Sequence, residues 1–260
     1  MNRQWTLRFL GVGNAQAVTL GSASAVLERD GAPVLMIDCG QEGLTAYVER
    51  HGAMPIALFV THAHLDHVAG FERLYYATLF DAARRGKVRI YCAAALVPIL
   101  QSRLADYPSP LAEGGANFWD AFQLVPVTRG FWHEGLWFDV FAVRHHAPGT
   151  AFGLALRGAF LWSGDTRPIP EAIAAHADDD ERIAHDCALQ GNPSHTGLDD
   201  LIREYDVSMR ARMILYHYAC VEDAVTLEQA GLRVARAGDA IELSAPWDGM
   251  RACERAWRTP

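Results

Sequence analysis

Lysine is nearly missing from this sequence. Lys87 is the only one among 260 residues, so phosphate contacts would have to come from arginine, backbone amides or a metal. Basic residues number 23 against 31 acidic ones, a formal net charge of −8. That balance argues against a duplex-binding protein that relies on a broad basic surface, although a local basic groove stays open. No C-x-x-C pair occurs: Cys39, Cys92, Cys187, Cys220 and Cys253 are scattered and odd in number. They read as free thiols of a reducing cytoplasm. Met1-Asn2-Arg3-Gln4-Trp5 lacks the apolar run of a signal peptide. No apolar stretch approaches the ~20 residues that span a bilayer. No short-period repeat and no linker divides the chain, so residues 1–260 read as one domain of a cytoplasmic enzyme.

Half of the residues are hydrophobic, enough for a substantial core. The chain is organised around Thr61-His62-Ala63-His64-Leu65-Asp66-His67. The apolar run Ile56-Ala57-Leu58-Phe59-Val60 before it reads as a buried strand. Positions two apart on extended backbone face the same way, so His62 and His64 can reach one metal ion together. A helical turn after them would swing Asp66 and His67 toward a second ion. Imidazole and carboxylate suit zinc, manganese and iron.

Around this stretch, residues 5–10 alternate as a strand and Gly11-Val12-Gly13-Asn14 turns. Those two glycines are half of a dinucleotide fingerprint. The third is missing and residues 22–29 continue as strand, so a Rossmann site is set aside. Residues 23–28 and 33–37 form a hairpin around Asp30-Gly31. Further strands are expected over 88–91, 136–144, 152–156, 159–162, 183–189, 212–216, 232–235 and 240–243. Helices are expected over 43–50, 71–80, 93–103, 198–205 and 222–230. Arg84-Arg85-Gly86-Lys87 reads as a solvated turn, and Asp178-Asp179-Asp180-Glu181 as a solvated loop face. Residues 106–121 hold Pro108, Pro110, Gly114 and Gly115, a composition that suits a lid over the cleft. Phe118, Trp119, Phe131, Trp132 and His133 flank it and could line a pocket for a flat ring or pack in the core.

His62-Ala63-His64-Leu65-Asp66-His67 resembles the signature of the metallo-β-lactamase superfamily. The resemblance implies an α/β fold, a four-layer αβ/βα sandwich, with a dinuclear site at its edge. It implies that Asp38, in Asp38-Cys39-Gly40, supports the metal loop from behind. It also implies three ligands at later strand ends: His145 after Phe141-Ala142-Val143-Arg144, Asp165 in Ser163-Gly164-Asp165-Thr166, and His217 after Leu215-Tyr216. The set is then His62, His64, Asp66, His67, His145, Asp165 and His217, holding two divalent transition ions, zinc first, manganese or iron next. His145 and His146 compete for one place, and the preceding strand's register favours His145. His185-Asp186-Cys187 and His195-Thr196 resemble the tRNase Z and phosphodiesterase branch, in which an acid and a histidine pair near the leaving group. Here Asp186 replaces Glu and Cys187 stands where Ala is usual. The alternative is that His185 and His195 are polar loop residues.

These implications describe a dinuclear phosphodiesterase with a metal-bound hydroxide as nucleophile, Asp66 orienting it, and Asp186–His195 protonating the departing alkoxide. The expected partner is a small phosphodiester such as a cyclic nucleotide. The rivals are a tRNA 3′-end endonuclease, a carbonyl hydrolase (lactonase, thioesterase or β-lactamase-like) and a metal-bearing binding protein. Only 20 positions separate His145 from Asp165, too few for the arm with which the endonuclease grips tRNA. A carbonyl hydrolase would not need the Asp186–His195 pair. The sequence leaves oligomeric state open, a homodimer included.

Overall fold

A computed structural model describes residues 3–106 and 117–258. Among them, two sheets face each other. The first carries seven strands in the order β13-β1-β2-β3-β4-β5-β6 and the second six, β12-β11-β10-β9-β8-β7. In the first sheet β1 (Trp5–Gly11), β2 (Ser24–Arg29) and β3 (Ala32–Ile37) run antiparallel, and β4 (Ala57–Val60), β5 (Val88–Ala93) and β6 (Phe122–Val127) continue parallel to β3. The second sheet repeats this division. β7 (Gly130–His133), β8 (Leu136–Ala142), β9 (Phe152–Leu156) and β10 (Phe160–Trp162) are antiparallel, and β11 (Arg182–Asp186) and β12 (Met213–Tyr216) are parallel to β10. β13 (Ala240–Leu243) returns to pair with β1. Helices α1 (Gln41–His51), α2 (Leu65–Val68), α3 (Phe71–Leu79), α4 (Val97–Leu100), α5 (Pro170–His176), α6 (Leu198–Glu204), α7 (Val207–Arg212), α8 (Val221–Gln229) and α9 (Gly249–Arg258) connect and cover the sheets. This is the α/β sandwich that the His-rich stretch implied.

The β2–β3 turn follows its residues. Asp30 and Gly31 take φ of 54° and 79°, the two left-handed positions of a tight hairpin turn. The core lies between the sheets. Phe9 of β1 meets Trp162 of β10 at 5.7 Å, and Tyr91 of β5 stacks on Phe131 of β7 at 4.0 Å. All four rings are buried, and such contacts add to simple area burial by about 0.5–1.5 kcal/mol per pair.

Several expectations change. β6 was not expected; it forms an edge of the first sheet, where the missing N–H of Pro126 is tolerated. β7 is a short opposite-sheet edge starting at a glycine. Residues 232–235 make only an isolated bridge, Leu215 to Val234. Residues 93–103 divide into a 3-10 turn, α4, and a π-helical turn over Gln101–Ala105. Helices α5, α7 and α9 were not anticipated. Glu181 is buried, unlike exposed Asp179 and Asp180, because its carboxylate accepts the Gly158 N–H at 2.5 Å and closes the β9–β10 turn. The aromatics are mostly core. Phe118 stacks on Tyr75, Phe131 lies between Tyr91 and Phe138, and buried His133 bonds the Val34 carbonyl and meets the Tyr91 hydroxyl. The lid expectation rests on residues 107–116, which lie outside the described residues. Phe118–Ala121, at the end of the same stretch, is a 3-10 turn capped by Asn117.

Candidate metal centre

Each candidate ligand sits where a strand has just ended. After β4, Thr61 to His64 stay extended, which turns His62 and His64 to one side with ring centroids 4.7 Å apart. α2 then reverses the chain and brings Asp66 and His67 back. Asp38, at the end of β3, holds this loop. Its carboxylate accepts the Thr61 N–H at 2.8 Å, the Thr61 hydroxyl at 2.7 Å and His67 Nδ1–H at 2.8 Å. Gly40 is needed because a Cβ there would come 2.0 Å from the Asp66 carbonyl oxygen. The second sheet supplies His145 beyond β8, Asp165 beyond β10 and His217 beyond β12. The Gly11-Val12-Gly13-Asn14 turn anchors the last of these, since His217 N–H donates to the Val12 carbonyl at 2.7 Å.

Asp165 is the centre of the arrangement. One of its oxygens lies 3.2 Å from His217 Nε2, 3.3 Å from His67 Nε2, 3.6 Å from His62 Nε2 and 3.9 Å from His145 Nε2. Two tetrads result, His62-His64-His145-Asp165 and Asp66-His67-Asp165-His217, each with donor atoms within 4.8 Å of one another. All seven residues singled out in the sequence are brought together. His146 is exposed and outside both tetrads, though its Nε2 lies 2.7 Å from His64 Nε2.

The donor chemistry fits divalent ions. His62 Nδ1 faces Thr61 Oγ1, whose own proton goes to Asp38, and His145 Nδ1–H donates to the Ser194 carbonyl at 2.9 Å. Both therefore turn unprotonated Nε2 atoms toward His64 Nδ1, 3.1 and 3.2 Å away. One imidazole N–H cannot satisfy two such lone pairs well. Nε2 of His67 and His217 and Oδ1 of Asp165 are also buried without a hydrogen bond. Burial, reinforced by His67, holds His62 well below the ordinary histidine range, and burial with His145 brings His64 to about 4. Neutral imidazole is the form that ligates metal. Burial alone would depress His217 too, but Asp165 and Asp186 raise it to about 10. A second tetrad this rich in carboxylate thus favours positive charge in its midst.

Beside the tetrads, Asp186 at the end of β11 is fully buried and meets His195 Nδ1 at 2.8 Å. The His195 ring lies 4.8 Å from His217 and 4.9 Å from His145. Burial pulls the His195 imidazole down, but the Asp186 carboxylate outweighs it and the net effect is upward. His185 is not a loop residue: it is buried, donating to its neighbour's carbonyl and meeting the Tyr205 hydroxyl at 2.8 Å. A hollow of about 300 Å³ is lined by His64, Asp66, Asp165, His195, His217 and Asn192 among others. None of Phe118, Trp119, Phe131, Trp132 and His133 lines it. Sequence reading missed Thr61, Thr166, Asn192 and Ser194. Thr166 N–H donates to Asp186 at 2.8 Å, but only the fold brings these partners into reach.

Fold and site together define a metallo-β-lactamase-fold hydrolase. A PhnP-family diphosphatase superposes with a TM-score of 0.70 at 18% identity, covering 93% of this chain and 99% of its own. Short-form human tRNase Z gives 0.60 at 16%, covering 92% and 100%. At such identities the likeness is one of fold. The sequence narrows the class further: the chain belongs to the Anti-Pycsar protein Apyc1 family, whose profile matches residues 5–241. The Anti-Pycsar protein Apyc1 of Saccharibacillus brassicae is 31% identical over 221 residues, 82% of this chain and 89% of that protein. This chain is a metal-dependent hydrolase of the phosphodiesterase type.

Proposed function

We propose that this protein hydrolyses a small phosphodiester, a cyclic nucleotide, with two zinc ions held by the two tetrads. The observation that carries this reading is the sharing of one hollow by Asp165, common to both tetrads, and His195, backed by Asp186. His62, His64 and His145 would hold one ion and Asp66, His67 and His217 the other, with Asp165 between them. Bound divalent ions supply Lewis acidity toward phosphoryl oxygens and lower the pKa of water. The chain's own groups do the rest. Asp66, 3.5 Å from His67 Nε2 and 3.7 Å from His217 Nε2, orients the attacking water. His195 gives the departing alkoxide a proton, and Asp186 keeps the imidazolium aligned.

The same features oppose the rivals. The Asp186–His195 pair suits a basic oxygen leaving group and opposes a thioesterase, whose thiolate departs without a proton. A tRNA enzyme needs an arm, and residues 145–165 are occupied by the β9–β10 hairpin. All five cysteines are free, three of them buried, which suits a reducing cytoplasm. No helix of the described residues is long and apolar enough to cross a membrane. Residues 1–260 act as one hydrolase domain in this reading.

The test is a panel of 3′,5′-cyclic nucleotides, a tRNA precursor and a lactone, run on zinc-loaded protein. Cyclic nucleotides should be turned over with the highest kcat/KM. Lactone hydrolysis with no phosphodiester cleavage would overturn the reading. Metal analysis should find two zinc ions per chain, and one or none would overturn the dinuclear assignment.

A further inference from the structure

A second hollow, of about 440 Å³, adjoins the metal centre and shares Asn14, Ala15, His64 and Asp66 with it. Its far end holds Gln41 and Glu42 from the first turn of α1 and Arg103 from the π-helical turn. The volume is that of a small-molecule site. Three features set it apart from an ordinary surface dent.

The first is unused hydrogen-bonding capacity. The side chains of Gln41, Glu42 and Arg103 make no hydrogen bond or ion pair among the described residues, whereas most other arginines are engaged. Arg84, for comparison, is spent on the Met54 and Pro55 carbonyls. The second is apolar surface at the rim. Val18 is 64% exposed and Leu65 54% exposed, and both line this hollow. The third is the π-helical turn, a rare geometry found frequently at functional sites. It places Arg103 in the lining of the hollow that Asp66 also lines.

We propose that this hollow is the nucleobase subsite of the enzyme. This rests on the phosphodiesterase reading. With the diester at the shared wall of Asp66 and His64, and its leaving oxygen toward His195, the base projects into the second hollow. Val18 and Leu65 offer apolar contact to its faces. Arg103 presents a planar guanidinium that stacks on a heterocycle. Gln41 and Glu42 meet the edge of the ring, the amide as donor or acceptor and the carboxylate as acceptor from a ring or exocyclic N–H. Glu42 offsets Arg103, so this part of the hollow offers no net positive charge to a second phosphate, which points to a base and not to a longer polyphosphate.

The test compares adenosine 3′,5′-cyclic phosphate with methyl 4-nitrophenyl phosphate, a diester without a base, in the zinc-loaded full chain. Glu42→Ala, which removes a hydrogen bond to a charged group, and Arg103→Ala, which removes the stacking guanidinium, should each raise KM for the cyclic nucleotide about tenfold, with kcat little changed. Val18→Trp, which fills the hollow, should do the same without removing any polar group. The ratio of kcat/KM between nucleotide and base-free diester should fall by the same factor. Loss shared equally by both substrates, or no loss in any of the three variants, overturns the subsite. Wild-type protein that cleaves the base-free diester but no cyclic nucleotide sinks the function itself, and the subsite with it. Unchanged thermal unfolding in the variants separates a binding loss from misfolding.

Discussion

Oδ2 of Asp186 stands 2.8 Å from Nδ1 of His195. The other oxygen of the same carboxylate faces Nδ1 of His217 at 3.4 Å, and the backbone N–H of Thr166 donates to Oδ2 at 2.8 Å. One buried carboxylate therefore meets both His195, the proposed leaving-group acid, and His217, a proposed metal ligand. His195→Ala should slow cyclic-nucleotide hydrolysis by ~10²–10⁴-fold, the usual contribution of a positioned acid, and leave a bis-nitrophenyl diester nearly unaffected. Asp186→Asn should instead lose activity on both substrates, because it also disturbs His217. Steady-state kinetics on the two leaving groups checks this; equal loss in His195→Ala would assign that residue to metal support.

The neighbouring histidines 145 and 146 separate by metal content. His145→Ala should lower bound zinc and activity together, whereas His146→Ala should leave zinc content unchanged. Metal analysis after gel filtration reads both. Retained zinc in His145→Ala would move the ligand role away from it.

Asp38→Ala removes three hydrogen bonds in a fully buried place and leaves His67 without its charged partner. Breaking a buried pair from one side costs roughly 3–5 kcal/mol. Loss of an outer-shell partner also weakens metal affinity by about 10–100-fold. Denaturant unfolding and zinc titration measure the two effects. Full stability with weakened zinc binding would confine Asp38 to orienting His67.

Glu181 gives a pH dependence remote from the metals. Burial raises its carboxyl to about 7, against the pull of the Gly158 N–H. The folded state therefore holds its proton more tightly than the unfolded chain does. The penalty is absent below the unfolded range near 4.5, grows as pH rises, and is complete above about 7. Glu181→Gln keeps an acceptor for Gly158 without the charge. It should raise Tm at pH 8 and match the wild type at pH 4, measured by thermal unfolding at both. A gain of equal size at both values would show that the carboxyl does not titrate in this window.

How far the site could be read from the sequence depended on how local its chemistry is. His62, His64, Asp66 and His67 lie within seven positions of the end of β4, so spacing alone brings them together. Asp165 and His217 were legible because each closes a recognisable strand. His145 and His146 stayed ambiguous because β8 ends at Ala142 and the intervening backbone is irregular, so alternation no longer fixes which side chain turns inward. Ser194, which sets the His145 tautomer, is 49 positions away and gives no local signal. The aromatic residues flanking 106–121 stayed open between pocket and core because composition does not distinguish a ring between two sheets from one beside a ligand. Glu181 failed for a related reason: three acidic neighbours suggested solvent, but a hydrogen bond to a turn 23 positions away decided its burial.

The pairing of β1 with β13 bears on how the chain is made. Phe9 N–H donates to the Asp239 carbonyl at 2.9 Å and Gly238 N–H to the Phe9 carbonyl at 2.8 Å, so the first strand is completed by the last. During synthesis, β1 leaves the ribosome long before its neighbour exists. Until residue 243 emerges, one whole flank of the nascent sheet presents bare amides and carbonyls, a template for strands of other chains. A premature stop just before residue 238 would spare every proposed ligand and the His195 pair. Its cellular signature would nevertheless be aggregation and chaperone capture, a defect of assembly in a polypeptide whose chemistry is fully encoded.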